Sequence, residues 1–296
     1  MLADLLRLQL DIVGAHSELA ASLFGENRLK TMAPACTEAR PVITIPGFLA
    51  SGLSLMRLNS FLRQQGFTAK HWGQGRNLGP QGMDWGHHLD AMVRQMTDHI
   101  DALADETSAP VSLVGQSLGG VYARELALRL NDRIDRVIML GAPTFHPYKS
   151  NRHNRLIGTF GYWLNRQSAT EFAGREGMLH WQPDRPDMPC VAIHSPVDGV
   201  VDEQACHIPS YIVAASSHRS PRENIRVMSS HIGMSVSPLV HLAVADRLLA
   251  ERANWRAFDP MTYFPTYLRP AVRLLFPESI DMTHPNRAGV FAKAGR

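Results

Sequence analysis

Short apolar runs alternate with amphipathic stretches through the centre of the chain. This is the pattern of a parallel sheet whose strands are covered on both faces by helices. Strands are predicted over residues 41–46, 67–72, 111–115, 136–141, 190–194 and 225–228. Helices are predicted over 53–65, 118–130 and 238–249. Another should start at Asp84, a suitable cap, and carry Leu89, Met92, Val93, Met96, Ile100 and Leu103 on one face. At the N-terminus Leu2, Leu5, Leu6, Ile12 and Val13 share one helical face, so a helix is expected to dock on the body through them.

Two segments break the rhythm. Residues 144–189 separate two predicted strands by far more than an ordinary connection. They are rich in aromatics, among them Phe145, Tyr148, Phe160, Tyr162, Trp163, Phe172 and Trp181. Residues 251–296 carry Pro260, Pro265 and Pro270, which forbid one continuous helix. The predicted organisation is a helical extension over 1–40, an α/β core over 41–250 and a tail over 251–296.

A chain of 296 residues that is 45% hydrophobic can build a full core. Its net charge of +3 is dispersed, without the clustered basic face that nucleic acid requires. Three cysteines, Cys36, Cys190 and Cys206, include no CxxC pair and argue against a disulfide framework or a structural zinc site. Cys190 and Cys206 read as buried thiols. No apolar run is long enough to span a membrane. The N-terminal stretch has no basic start, and Asp4, Arg7 and Asp11 interrupt it, so no signal peptide is recognised and a cytoplasmic protein is expected. The N-terminal helix and the tail, where arginines alternate with Trp255, Phe258, Tyr263, Phe264, Tyr267 and Phe276, admit peripheral contact with lipid. Docking of the tail aromatics on the body, or on a second subunit of a homo-oligomer, is the plainer alternative.

Candidate chemistry centres on Gly115-Gln116-Ser117-Leu118-Gly119, which follows a predicted strand and opens a predicted helix. A serine on so tight a turn needs small neighbours two residues away on each side, and its hydroxyl then stands at the sheet edge by a helix N-terminus. The competing reading is a Gly-rich turn whose serine caps the helix. His87-His88 lacks the i, i+4 spacing of a metal-binding pair and reads as a solvated helix face. No metal or cofactor is implied.

The blocks Ile45-Pro-Gly-Phe-Leu-Ala-Ser51, Gly75-Arg-Asn-Leu-Gly-Pro80 and Gly115-Gln-Ser-Leu-Gly-Gly120 together resemble bacterial lipase- and esterase-like members of the α/β-hydrolase superfamily, over about residues 40–250. The resemblance implies a mostly parallel sheet flanked by helices, with residues 144–189 as a helical cap. It implies a serine hydrolase that cleaves small-molecule or lipid esters of carboxylic acids through an acyl-enzyme. Ser117 would be the nucleophile, and the backbone N–H groups of Phe48 and Leu118 the oxyanion donors. Pro46 stands where such proteins often carry a bracing histidine. Arg76 and Asn77 would either line the pocket or brace that loop. The acid should follow strand 190–194, with Asp198 preferred and Asp202 second. The histidine should follow the last strand, at His231. His207, His218 and His241 read as ordinary surface or packing residues. Phe145, Tyr148, Phe160, Tyr162 and Trp163 would line an acyl pocket under the cap. Acyl transfer by the same residues, or binding without catalysis on the same scaffold, remain the alternatives.

Overall fold

Six strands form one sheet: β1 (Pro41–Ile45), β2 (Thr68–His71), β3 (Val111–Gln116), β4 (Ile134–Leu140), β5 (Cys190–His194) and β6 (Arg222–Arg226). Their order is β2-β1-β3-β4-β5-β6, and every pairing is parallel. The structure, a computed structural model, describes residues 2–81, 83–143, 186–216 and 220–277. The predicted cap aromatics Phe145, Tyr148, Phe160, Tyr162 and Trp163 lie outside the described residues, as do His218 and the tail beyond residue 277.

Strand alternation explains how the sheet is covered on both sides. Ile43, Ile45, Leu113, Val137 and Met139 point to one face, where they pack on α3 (Trp85–Thr107) and α4 (Leu118–Arg129). Val42, Val114, Ile138, Leu140, Val191 and Ile193 point to the other, against α2 (Met56–Gln64) and α7 (Pro238–Leu249). The Asp84 side chain caps α3 as expected, accepting from the N–H of Gly86 at 2.8 Å. Two short helices, α5 (Glu203–Cys206) and α6 (Ser210–Ala214), link β5 to β6.

The last strand corrects the expectation of 225–228. It begins at Arg222, because two charged side chains that disguise it are buried in pairs. The Arg222 guanidinium donates to the carbonyls of Met188 at 2.5 Å and Pro186 at 2.6 Å. Glu223 pairs with Arg247 at 2.7 Å. Hydrophobic periodicity does not register a strand whose burial is compensated by ion pairs and carbonyls.

The N-terminal helix corrects a second expectation. α1 (Leu2–Met32) does dock on the body, but with the opposite face. Leu5, Leu6, Ile12 and Val13 are 45%, 55%, 41% and 62% exposed, while Asp4, Asp11 and Ser22 are buried. The docking is polar. Asp11 accepts the N–H of His231 at 2.9 Å, and seven residues on, Glu18 accepts the N–H of Ser230 at 2.7 Å. Backbone donors make acid burial affordable where sequence alone assigns acids to water.

The described tail packs on the second core face through Trp255, Phe258, Tyr263, Phe264 and Phe276. Arg247 sits 5.0 Å from the Trp255 ring centroid, a cation–π contact. Pro270 lies in the first turn of the short α8 (Arg269–Leu275), where its missing N–H is harmless. Cys190 and Cys206 are buried free thiols. Among the described residues, no helix is long and apolar enough to cross a membrane.

Candidate active site

Ser117 sits at the turn from β3 to α4 with φ 53° and ψ −124°. Such a conformation costs a non-glycine residue on the order of 1–3 kcal/mol. It is held by the Ser117 N–H, which donates to the Leu140 carbonyl at 2.8 Å. It also depends on glycine on both sides: a Cβ on Gly115 would strike the Gly119 backbone, and one on Gly119 the Ile45 carbonyl. The serine side chain makes no capping bond to α4. That removes the reading of Ser117 as a simple helix cap and leaves its hydroxyl uncommitted to the helix.

The loop after β1 lies beside this serine. A Cβ on Gly47 would stand 3.1 Å from the Ser117 Cβ. Leu118 is the first residue of α4, so its N–H has no carbonyl partner within the helix. Among the described residues the Phe48 N–H donates to no backbone carbonyl. The two segments that carry these N–H groups therefore meet beside Ser117.

Asn77 supplies the brace that Pro46 lacks. Its side-chain amide donates to the Pro46 carbonyl at 2.9 Å, and its side-chain oxygen accepts from the Gly79 N–H at 3.2 Å. Its main chain pairs with Leu49 at 2.7 Å and with Ala50 at 2.8 Å. Only 2% exposed, Asn77 does not line an open pocket. Asn77→Ala leaves these buried groups unsatisfied. It should destabilise the protein by about 2–3 kcal/mol, as read by urea unfolding.

The loop after β5 carries Asp198. One carboxylate oxygen accepts the N–H groups of Val200 at 2.8 Å and Val201 at 2.7 Å. The other accepts from His231 Nδ1 at 2.6 Å. Asp202 instead caps α5 through the Gln204 N–H at 3.2 Å, so the two candidate acids are separated by what they bond. His231 follows β6 and is also held by its main chain. Gln116, next to Ser117, donates its side-chain amide to the His231 carbonyl at 2.8 Å. Burial opposes the imidazolium, but the Asp198 carboxylate outweighs it with help from Asp11, and the His231 pKa ends raised.

Among the described residues, the other histidines considered from the sequence have partners elsewhere or face solvent. His241 lies buried in α7 with its Nε2 at 3.0 Å from the Ser235 carbonyl and its ring against Phe61. His207 lies just past α5, not within a helix, and its ring meets His194 at 4.1 Å. Of the adjacent pair, His87 is exposed as expected, but His88 is half-buried, bonded to the Tyr122 hydroxyl at 2.8 Å. Among the described residues His194, Glu203 and His207 bring ligand-type atoms within 4.8 Å of one another. Both Glu203 oxygens are already engaged by Arg226, at 2.6 and 3.0 Å. Burial alone would raise the Glu203 pKa; His194 and Arg226 overturn it and hold it at about 2. The Glu203–Arg226 ion pair ties α5 to β6, with His194 bonded to the same carboxylate.

Asp11, Glu18 and Gln116 are the site neighbours that sequence reading missed. Asp11 and Glu18 were legible only as polar interruptions seven residues apart on a leucine-rich helix, and Gln116 only as the variable position of the serine motif.

A family model described as serine aminopeptidase, S33, matches residues 38–175. That span holds the Phe48 loop and Ser117 and stops before Asp198 and His231. An esterase from Pyrococcus furiosus is similar at 16% identity and a TM-score of 0.53, over 72% of this chain and 82% of that one. A soluble variant of monoglyceride lipase from Saccharomyces cerevisiae, solved with a substrate analogue, is similar at 14% identity and a TM-score of 0.50, over 76% and 91%. A structure from work on two metagenome-derived lipolytic enzymes, LipS and LipT, is similar at 13% identity and a TM-score of 0.51, over 73% and 95%.

Proposed function

The chain has the α/β-hydrolase fold and is similar to that superfamily's lipases and esterases, and from this premise we propose that it is a serine hydrolase of carboxylic esters. The observation that carries the proposal is Ser117, held in a strained backbone with its hydroxyl unused by the helix it opens. The bond between Asp198 and His231, 2.6 Å long, supports it.

Ser117 Oγ attacks the acyl carbon while His231 takes its proton. Asp198 holds the imidazole with the proton on Nδ1, leaving Nε2 as the base, and stabilises the imidazolium that forms. The Phe48 and Leu118 N–H groups receive the developing oxyanion. His231 then returns the proton to the leaving alcohol and activates the water that releases the acid.

Two measurements test this. A fluorophosphonate probe should label Ser117; an unlabelled, folded protein would mean a binding role without catalysis. A p-nitrophenyl ester panel from acetate to palmitate should show an optimum at short to medium chains. Each buried methylene adds about 0.8 kcal/mol until the pocket ends. A monotonic rise to palmitate would point to an open groove and a true lipase. Phe160→Ala or Trp163→Ala should move the optimum if those side chains line the acyl pocket. Faster product release with an added alcohol than with water alone would favour acyl transfer.

A further inference from the structure

α1 lies against both loops that carry the Asp198–His231 pair. A Cβ on Gly14 would stand 2.9 Å from the Ser230 Cβ, and one on Gly199 would stand 2.5 Å from the Arg7 carbonyl oxygen. The helix therefore approaches the histidine loop at one point and the acid loop at another. Asp11, 1% exposed, lies between these approaches. Its carboxylate accepts the His231 N–H at 2.9 Å and the Ile232 N–H at 3.3 Å. Two helical turns later Glu18 accepts from the Ser229 hydroxyl at 2.5 Å, the Ser230 N–H at 2.7 Å and the Ser230 hydroxyl at 2.8 Å. His231 is thus held at its N–H by α1, at its carbonyl by Gln116 and at Nδ1 by Asp198.

We propose that α1 is a working part of the site, with Asp11 a positioning residue that holds the His231 main chain so that its imidazole meets both Asp198 and Ser117. This rests on the serine-hydrolase reading of Ser117 and His231. A buried acid on the docking face of a helix is an expensive choice. Exposed leucines stand on the same helix and would pack there more cheaply. What the carboxylate provides and a leucine cannot is an anionic acceptor for two backbone donors of the histidine loop.

Burial raises the Asp11 pKa to about 6, with neighbouring Asp198 adding to that, while His231 and the two N–H groups pull it down. His231 and Asp198 are the titratable groups facing Asp11 from the two loops, and Arg7 and Glu18 flank it on its own helix. An acid that is stronger unfolded than folded weakens the fold as pH rises through the interval between the two pKa values. That loss is complete above about pH 6. Replacing the carboxylate by an amide relieves this cost at pH 8, whereas alanine also strands the His231 and Ile232 N–H groups and so costs stability while it deprives His231 of its anchor.

The test compares Asp11→Asn, Asp11→Ala and, as a control on the outward face of the same helix, Val13→Ser. The readouts are Tm at pH 8, ester kcat and KM, the pH profile, and the His231 titration by NMR, assigned with His231→Gln. Asp11→Ala should lower kcat roughly 10- to 100-fold with KM within about twofold. Asp11→Asn, which keeps one acceptor, should fall between it and the parent. Asp11→Asn should hold its Tm, Asp11→Ala should lose a few degrees for its two stranded N–H groups, and Val13→Ser should match the parent. In both Asp11 variants the His231 pKa and the acid limb should move to lower pH, because the imidazolium loses a nearby negative charge. Parental kcat with an unmoved His231 titration would overturn the proposal. So would a kcat loss that tracks a falling Tm with the acid limb unmoved, since that is simple destabilisation. The titration needs no turnover. A shift in it, alongside full activity in Ser117→Ala, would remove the serine chemistry and leave the link between helix and histidine standing.

Discussion

Ser117→Ala should leave the protein folded and lower kcat/KM for a p-nitrophenyl ester by about 10⁴-fold or more. The fold should survive because the serine side chain makes no capping bond whose loss would unravel α4. Alanine inherits the strained φ of 53° and the glycine clearances that permit it. Tm should therefore move by only a few degrees, which corresponds to about 1 kcal/mol for a domain of this size. The remaining rate should come from the Phe48 and Leu118 N–H groups, which still polarise a bound carbonyl toward water. Spectrophotometric turnover at saturating ester, together with a thermal melt, measures both halves. Retention of more than a tenth of the parental rate by a pure, folded variant would exclude Ser117 as the nucleophile.

Asp198→Asn should cost about 10³- to 10⁴-fold in kcat with little change in KM. Asn can keep its oxygen on the Val200 and Val201 N–H groups, which bond one oxygen of the native carboxylate at 2.8 and 2.7 Å. Its NH₂ then faces His231 Nδ1 in place of the other oxygen. A donor there favours the tautomer protonated on Nε2, which cannot accept the proton of Ser117. The pH profile gives a second reading. In the parent, His231 has a raised pKa, so activity falls as pH drops through it. Without the Asp198 charge the imidazolium is less stabilised, and the residual activity should hold to lower pH. Asp202→Asn should spare kcat, since Asp202 is engaged as the cap of α5. A larger kcat loss there than in Asp198→Asn would reverse the assignment of the acid.

Much of the scaffold was legible because its cause is local. β1, β3, β4 and β5 are short apolar runs, and a strand buried on both faces can hardly be anything else. α7 spans Pro238–Leu249, the range predicted, because a proline at its first position and a dense apolar period mark both ends. The Ser117 turn could be read from Gly115 and Gly119, since the exclusion of side chains at a tight crossing is a property of the residues themselves. The order of Ser117, Asp198 and His231 along the chain was available from the family resemblance.

Elements whose burial is polar were misread. The start of β6 was missed because Arg222 and Glu223 look solvated until the Met188 carbonyl and Arg247 come into view. α1 was assigned its apolar face as the docking face, whereas its acids go inward. An amphipathic pattern says that two faces differ; which one meets the protein depends on what the surface beneath offers.

The sequence by itself therefore determined the alternation of strands and helices and the serine turn, while the candidates for the serine's partners came from the family resemblance. The alternation and the turn depend on steric size and hydrophobic period, which act between residues close in the chain. Tertiary structure alone decided that Asp198 meets His231 while Asp202 caps a helix, and that Asn77 braces the loop at Pro46. It also decided that Asp11, 220 residues before His231, holds its backbone. The physical reason is the hydrogen bond. Beyond local caps such as those of Asp84 and Asp202, a donor or acceptor is satisfied by whichever partner the fold brings within about 3 Å, and spacing along the chain does not encode that choice.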